Sequence, residues 1–343
     1  MNGAGVNGAG VSVPITLGRA DGLPEGPRDP VQSTPARRPG SVRRTTALDQ
    51  RRGEPGETQH VVGTGRDLLT RADGTTVVLD QAQVDATVWL GVITAIETAP
   101  LVAELEGLIG DSVSKGLRQR ADQLVPDHRQ GATVLHQLLD DFPMAALISG
   151  YGSSRETPDF KLPAEAAEKM TDLCAGWEAG GTMLGGLAAT GLFPIPLGPP
   201  APTLESPDDP LSWHALPPMA VRSVRRRRRI DVWEQDGLLA VDVHFRDSHL
   251  GLDGPEDILH EYTLAVSIDP DGLVVRSASA AARVLPWPEC PAALGSVDRI
   301  VGEPLERLRP FVAMKFTGTT TCTHLNDSMR SLAGVQALVA ALR

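Results

Sequence analysis

Aromatic side chains make up only 4% of this chain, and cysteine occurs three times in 343 residues. A core so poor in rings must be filled by Leu, Val, Ile and Ala. Three cysteines do not support a disulfide framework and fit a reducing compartment. No stretch approaches the roughly 18–20 uninterrupted apolar residues of a membrane span. The start lacks the basic region and apolar run of a secretory signal. A soluble cytoplasmic protein with no membrane span is therefore expected. Positive charge is also short: the balance is −11, which argues against nucleic acid as a partner.

Residues 1–40 begin with the repeat MNGAGVNGAG and continue rich in Pro, Gly and Arg. They hold too little apolar surface to offset chain entropy, so a disordered tail is expected there. Residues 41–343 are expected to form a single α+β domain. Strands are expected at Ser41–Asp49, Thr58–Thr70, Thr75–Leu79 and Gln83–Ile96, with Asp73-Gly74 as a hairpin turn. Helical spacing follows at 101–109, 114–124, 132–148 and 163–177, with Pro143 expected to kink or split the third. Asp140 and Asp141 there are expected to be surface acids. Residues 176–219 are dense in Gly and Pro and fit a pocket wall or wrapping segment. A second meander is expected from 222 to 285, with turns at Asp236-Gly237 and Asp271-Gly272. A helix from about His324 closes the chain. The fold expected is thus a curved antiparallel sheet with a helical, loop-rich insertion over 97–220 and a closing C-terminal helix.

Chemistry concentrates in the second half. Period-two alternation puts Asp242, His244 and Arg246 on one face of their strand and Asp247 and His249 on the other parity. His260 shares a face with Ile258, Tyr262 and Leu264, while Glu261 points away. Cys322 stands just before the last helix, where dipole and free N–H groups favour a thiolate. It could act as a nucleophile with His324 as base. Alternatively, Cys290, Cys322, His324 and His260 offer four ligands suited to Zn or Fe. Asp242, His244, Asp247 and His249 are candidates for proton transfer. Arg229, Arg246, Trp213, His214 and Glu261 are candidates for substrate binding. The run Arg225 to Arg229 reads as a solvated, charge-paired strand edge, or as a clamp for phosphate or carboxylate.

The ordered series SVRRTTALD, GTGRDLLT, LLDDFPMAALISGY, CAGWEAGGTM, DDPLSWH, RRRRIDVW, VDVHFRDSH, HEYTL, LPWPECPAA and TCTHLNDSMRSL resembles domain-of-unknown-function family 2889, in its longer actinobacterial branch. The matching positions are Cys290, Cys322, Thr323, His324 and Leu325, with His260 where the short branch tends to carry histidine. Thr321 replaces a glycine of that pattern. The resemblance implies no activity. From the residues, the expectation is an enzyme acting on an apolar small molecule or acyl ester, a hydrolase or an isomerase/cyclase, through a Cys/His metal site or metal-free acid–base groups. A non-catalytic binding protein with structural cysteines is the alternative.

Overall fold

The computed structural model describes residues 22–52, 58–156 and 161–342. Eight strands form one curved, unclosed antiparallel sheet in the order β4-β3-β2-β1-β5-β6-β7-β8. The strands are β1 (Ser41–Arg51), β2 (Gln59–Thr70), β3 (Thr76–Trp89), β4 (Val92–Ala99), β5 (Ser223–Gln235), β6 (Leu238–Leu250), β7 (Asp257–Ile268) and β8 (Val275–Val284). Each half is a meander of four strands, and the halves meet where β1 pairs with β5. Gly74 and the Asp236-Gly237 pair take positive φ in their hairpin turns, as such turns require. The single strand expected over 83–96 is instead a hairpin, because Leu90 and Gly91 both turn at positive φ.

Between the meanders run α1 (Leu117–Leu124), α2 (Pro126–Gln130), α3 (Val134–Glu156), α4 (Ala164–Met170) and α5 (Thr182–Thr190). After β8 come α6 (Leu305–Lys315), α7 (Thr323–Ser331) and α8 (Val335–Ala340). The long helix α3 lies across β1, β2, β3 and β5. Pro143 does not split it. In the preceding turn the Asp140 carbonyl accepts a 2.8 Å bond from Arg118 Nε. The closing helix is segmented: a 3-10 turn at Leu332–Gly334 separates α7 from α8.

The helices cover one face of the sheet. Extended, proline-rich chain covers the other. Residues 22–40 belong to this cover: Val31 N–H donates to Glu261 Oε2 at 3.0 Å, and Arg37 pairs with Asp209 at 2.8 Å. The tail expected over 1–40 therefore extends at most to residue 21, and residues 1–21 lie outside the described residues. Such wrapping chain has backbone carbonyls with no ladder partner. Arginines from the sheet supply the donors: Arg43 to Pro35 and Ser212, Arg225 to Pro217, and Arg246 to Val31 and Pro202.

The arginine run is not a solvated edge. β5 lies in the middle of the sheet, and all five of its arginines are buried. Alternation sends Arg226 and Arg228 to the helical face, where Asp247, Asp327 and Asp141 receive them. Arg225 pairs with Asp49 and Arg229 with Asp242 and Asp231 on the opposite face. Asp140 and Asp141 are likewise buried, not on the surface. Arg309 and Arg118 hold Asp140 and lower its carboxyl to about 2 against the cost of burial.

Candidate functional site

A cavity of about 300 Å³ opens where the insertion crosses the start of α7. Leu147 and Ile148 of α3, Met170 of α4, Met183 of α5, and Trp177, Phe193 and Trp287 build its apolar walls. Cys174, Cys290, Cys322, His260 and His324 lie on its lining, and among the described residues none that lines it is Asp, Glu, Lys or Arg. Gly176 is part of the wall because nothing larger fits: a Cβ there would stand 2.9 Å from Cys290 Sγ.

At the closed end three elements converge. Asp247 on β6 stands directly opposite His260 on β7 in the antiparallel register, so both side chains project to the same face. α7 begins above them and sets His324 over His260, ring centroids 3.7 Å apart and planes 16° from parallel. His324 Nε2 is 3.7 Å from Asp247 Oδ2, too far for a direct hydrogen bond. One ligand atom from each of the three residues lies within 4.8 Å of the other two. His324 Nε2 and His260 Nδ1 are buried without a hydrogen-bond partner.

The electrostatics follow from burial. Burial pushes His260 down to about 3 and His324 well below the usual imidazole range, with repulsion from Arg226 adding to both. Both rings are therefore neutral, with lone pairs free. Burial raises the Asp247 carboxyl to about 6. Arg226 grips Asp247 through two bonds of 2.9 and 2.8 Å and pulls the other way, while Asp327 and Asp141 add repulsion. Asp327 carries the opposite shift, far below the carboxylate range, because Arg330, Arg118, Arg226 and Arg228 surround it.

The thiols are different. Burial drives Cys174 up to about 12, raises Cys290 well above the ordinary value and raises Cys322 as well. Cys322 does precede α7 as its N-cap, and N–H groups of Leu325 and His324 favour its thiolate, yet burial outweighs them. Tyr262 Oη lies beside it without a well-formed hydrogen bond. Cys322 Sγ is 3.9 Å from His324 Nδ1. The set Cys290, Cys322, His324 and His260 shares a cavity wall without converging as four ligands. Among the described residues, the compact ligand group is Asp247, His260 and His324.

Other expected site residues lie elsewhere. His244 and Arg246 both bond Glu261, at 2.6 and 2.8 Å, on the face covered by residues 22–40. Arg229 is engaged with Asp231 and Asp242, beside a separate pocket of about 80 Å³. Trp213 Nε1 donates to Thr34 at 2.7 Å, and His214 sits between Thr45 and Thr64 at 2.8 and 3.0 Å. His249 lies 3.6 Å from Asp257 and 3.3 Å from Arg155. None of these lines the cavity. Sequence reasoning missed Asp247 as a partner of both histidines. The signal was a carboxylate on the parity of Val241, Val243 and Phe245, an apolar strand face.

No helix among the described residues is long and apolar enough to cross a membrane. No curated protein and no solved structure matches the chain. Asp247, His260 and His324 all fall within the stretch that a family model recognises, whereas the cavity walls from 147 to 194 fall outside it. Residues 224–338 match the family described as Protein of unknown function (DUF2889), the family that the sequence resembles.

Proposed function

We propose that the protein is an enzyme that takes a neutral, largely apolar small molecule, an ester or a ketone, into this cavity and transforms it at Asp247, His260 and His324. The observation that carries the reading is a cavity of about 300 Å³ with no ionised wall residue among the described residues, bordered by two neutral imidazoles with unpartnered nitrogens. In the metal-free cavity a charged ligand would lose its hydration and find no counter-ion among the described wall residues. A neutral ester or ketone keeps its apolar body against Leu, Met and Trp and can place its carbonyl oxygen to accept from the N–H of one neutral imidazole. In hydrolysis, His324 Nε2 would take a proton from a water whose oxygen bonds the acyl carbon and would return it to the departing alkoxide; burial makes the ring a weak base, and the nearby Asp247 carboxylate would offset this by stabilising the imidazolium. Hydrolysis of an ester and isomerisation or cyclisation of a ketone both fit these groups. The wall, assembled largely outside the family segment, would set which substrate enters.

Trp177 and Trp287 report on entry. Titration with a neutral medium-chain ester is expected to change their fluorescence saturably, with slow turnover of the ester. In chelator-treated, metal-free protein, the matching free acid, ionised at pH 7, is expected to bind at least ten-fold more weakly. Absence of saturable binding, or equal binding of ester and acid, would remove this reading. Binding without turnover by any neutral candidate would favour a non-catalytic carrier, for which three buried, protonated thiols also speak.

A further inference from the structure

We propose that Asp247, His260 and His324 bind one first-row divalent metal ion, Zn²⁺ or Fe²⁺, at the closed end of the cavity. This deepens the reading of the cavity as a reaction site, and rests on it for what the ion would do, though not for its binding.

Three observations support the site independently of that reading. The ligand atoms already gather within 4.8 Å of one another. Metal–ligand bonds of about 2.0–2.1 Å require them somewhat closer. Second, His324 is only 8% exposed, yet its Nε2 has no hydrogen-bond partner, and His260 Nδ1 is in the same condition. Buried polar atoms left unpaired are destabilising, and coordination would satisfy them. Third, Asp247 is held in the way ligating carboxylates are held. Arg226 uses one acceptor site on each oxygen, and a carboxylate offers about four. The remaining sites can face the ion while the guanidinium fixes the plane.

The donor set selects the ion class. Two imidazoles and one carboxylate are borderline ligands that suit Zn²⁺ and Fe²⁺ and disfavour Mg²⁺ and Ca²⁺, which prefer oxygen. Three protein ligands leave coordination positions open, and His260 and His324 border the cavity. There a bound ion could polarise a substrate oxygen or lower the pKa of a water. The thiols are not part of the set.

The test uses full-length protein. Elemental analysis of the purified chain is expected to find about one Zn or Fe. After chelation, Zn²⁺ and anaerobic Fe²⁺ titrations should rebind one equivalent. His260→Ala and His324→Ala should each weaken binding at least ten-fold, while Cys322→Ser should not. A Co²⁺-loaded sample should show visible bands without a thiolate charge-transfer band. If His324→Ala fails to fold, His260→Ala carries the comparison. No saturable binding of either ion, unchanged affinity in His260→Ala, or loss confined to Cys322→Ser would overturn the site. Ester binding measured by Trp fluorescence on the same protein separates the two readings: ester bound by protein that rebinds neither ion overturns the metal site alone, and ion rebound by protein that binds no ester overturns the substrate reading alone.

Discussion

Arg226 joins two carboxylates that belong to different parts of the fold: it bonds Asp247 of β6 through two atoms and reaches Asp327 of α7 with the third. All three side chains are essentially removed from water. The guanidinium thus ties the candidate ligand to the helix that carries His324.

Removing one member of a buried ion pair costs about 3–5 kcal/mol, because the charge left behind is uncompensated. Arg226→Met should therefore lose about that much in urea unfolding. Arg283→Ala, whose partner Asp29 is 87% exposed, should change stability by less than about 1 kcal/mol. Equal effects from both substitutions would contradict the picture of a buried ionic core.

His214 supplies a pH test away from the cavity. Burial, with Arg66, Arg227 and Arg225 adding repulsion, lowers its ring to about 4 from 6.5. The unfolded chain accepts that proton near 6.5, whereas the folded chain refuses it until about 4. The folded state binds fewer protons in that window, so its stability is full above 6.5 and falls as pH drops toward 4. His214→Gln should flatten the pH dependence of stability over this range, and the ring should titrate near 4 by NMR. An NMR midpoint near 6.5 would refute the assignment.

The cysteines should be chemically quiet. A thiol held near 12, as Cys174 is, is ionised in only about one molecule in 10⁵ at pH 7. Folded protein should resist iodoacetamide at all three positions and react fully in denaturant. Rapid labelling of Cys322 in folded protein would restore the nucleophilic thiol as a competing mechanism.

Gly176 and Cys290 should be energetically coupled. A methyl group at Gly176 would meet Cys290 Sγ at 2.9 Å and Trp287 Cδ1 at 3.4 Å. Gly176→Ala should cost about 1–3 kcal/mol through overpacking. In a Cys290→Ala background most of that cost should vanish, a coupling readable in a double-mutant cycle. Strictly additive losses would show that the backbone, not the sulfur, is the obstacle.

The turns were legible because Asp-Gly carries its own backbone preference, and the shared parity of His260 and Tyr262 followed from a regular strand. The Leu90-Gly91 turn was not, since leucine gives no signal for positive φ. The arginine run misled for a different reason. Five cations in sequence suggest solvent unless their partners are known, and several of those partners, Asp49 of β1, Asp141 of α3 and Asp327 of α7, lie far away along the chain. The same limit applied at the site. His260 and His324 were visible as residue types, whereas the register opposing Asp247 to His260 depends on a bulge after Asp247, and the helix start that stacks His324 above them is a long-range fact. Cys322 drew attention by its rarity and its position before a helix, but its burial depends on the insertion packed around it.

The pairing of β1 with β5 also bears on how the chain reaches this state. Every other neighbouring pair of strands is consecutive in the chain, so each meander can zip up from nearby contacts. The β1–β5 junction must instead bring together segments separated by the whole insertion, and such closure is entropically expensive and slow. Until it closes, Arg225 lacks Asp49 and Arg43 lacks Asp231, since both pairs span the junction. Productive assembly is then gated by the docking of two preformed halves. In pulse-labelled hydrogen exchange, the β1–β5 amides should gain protection after those of the β2–β3 and β6–β7 hairpins.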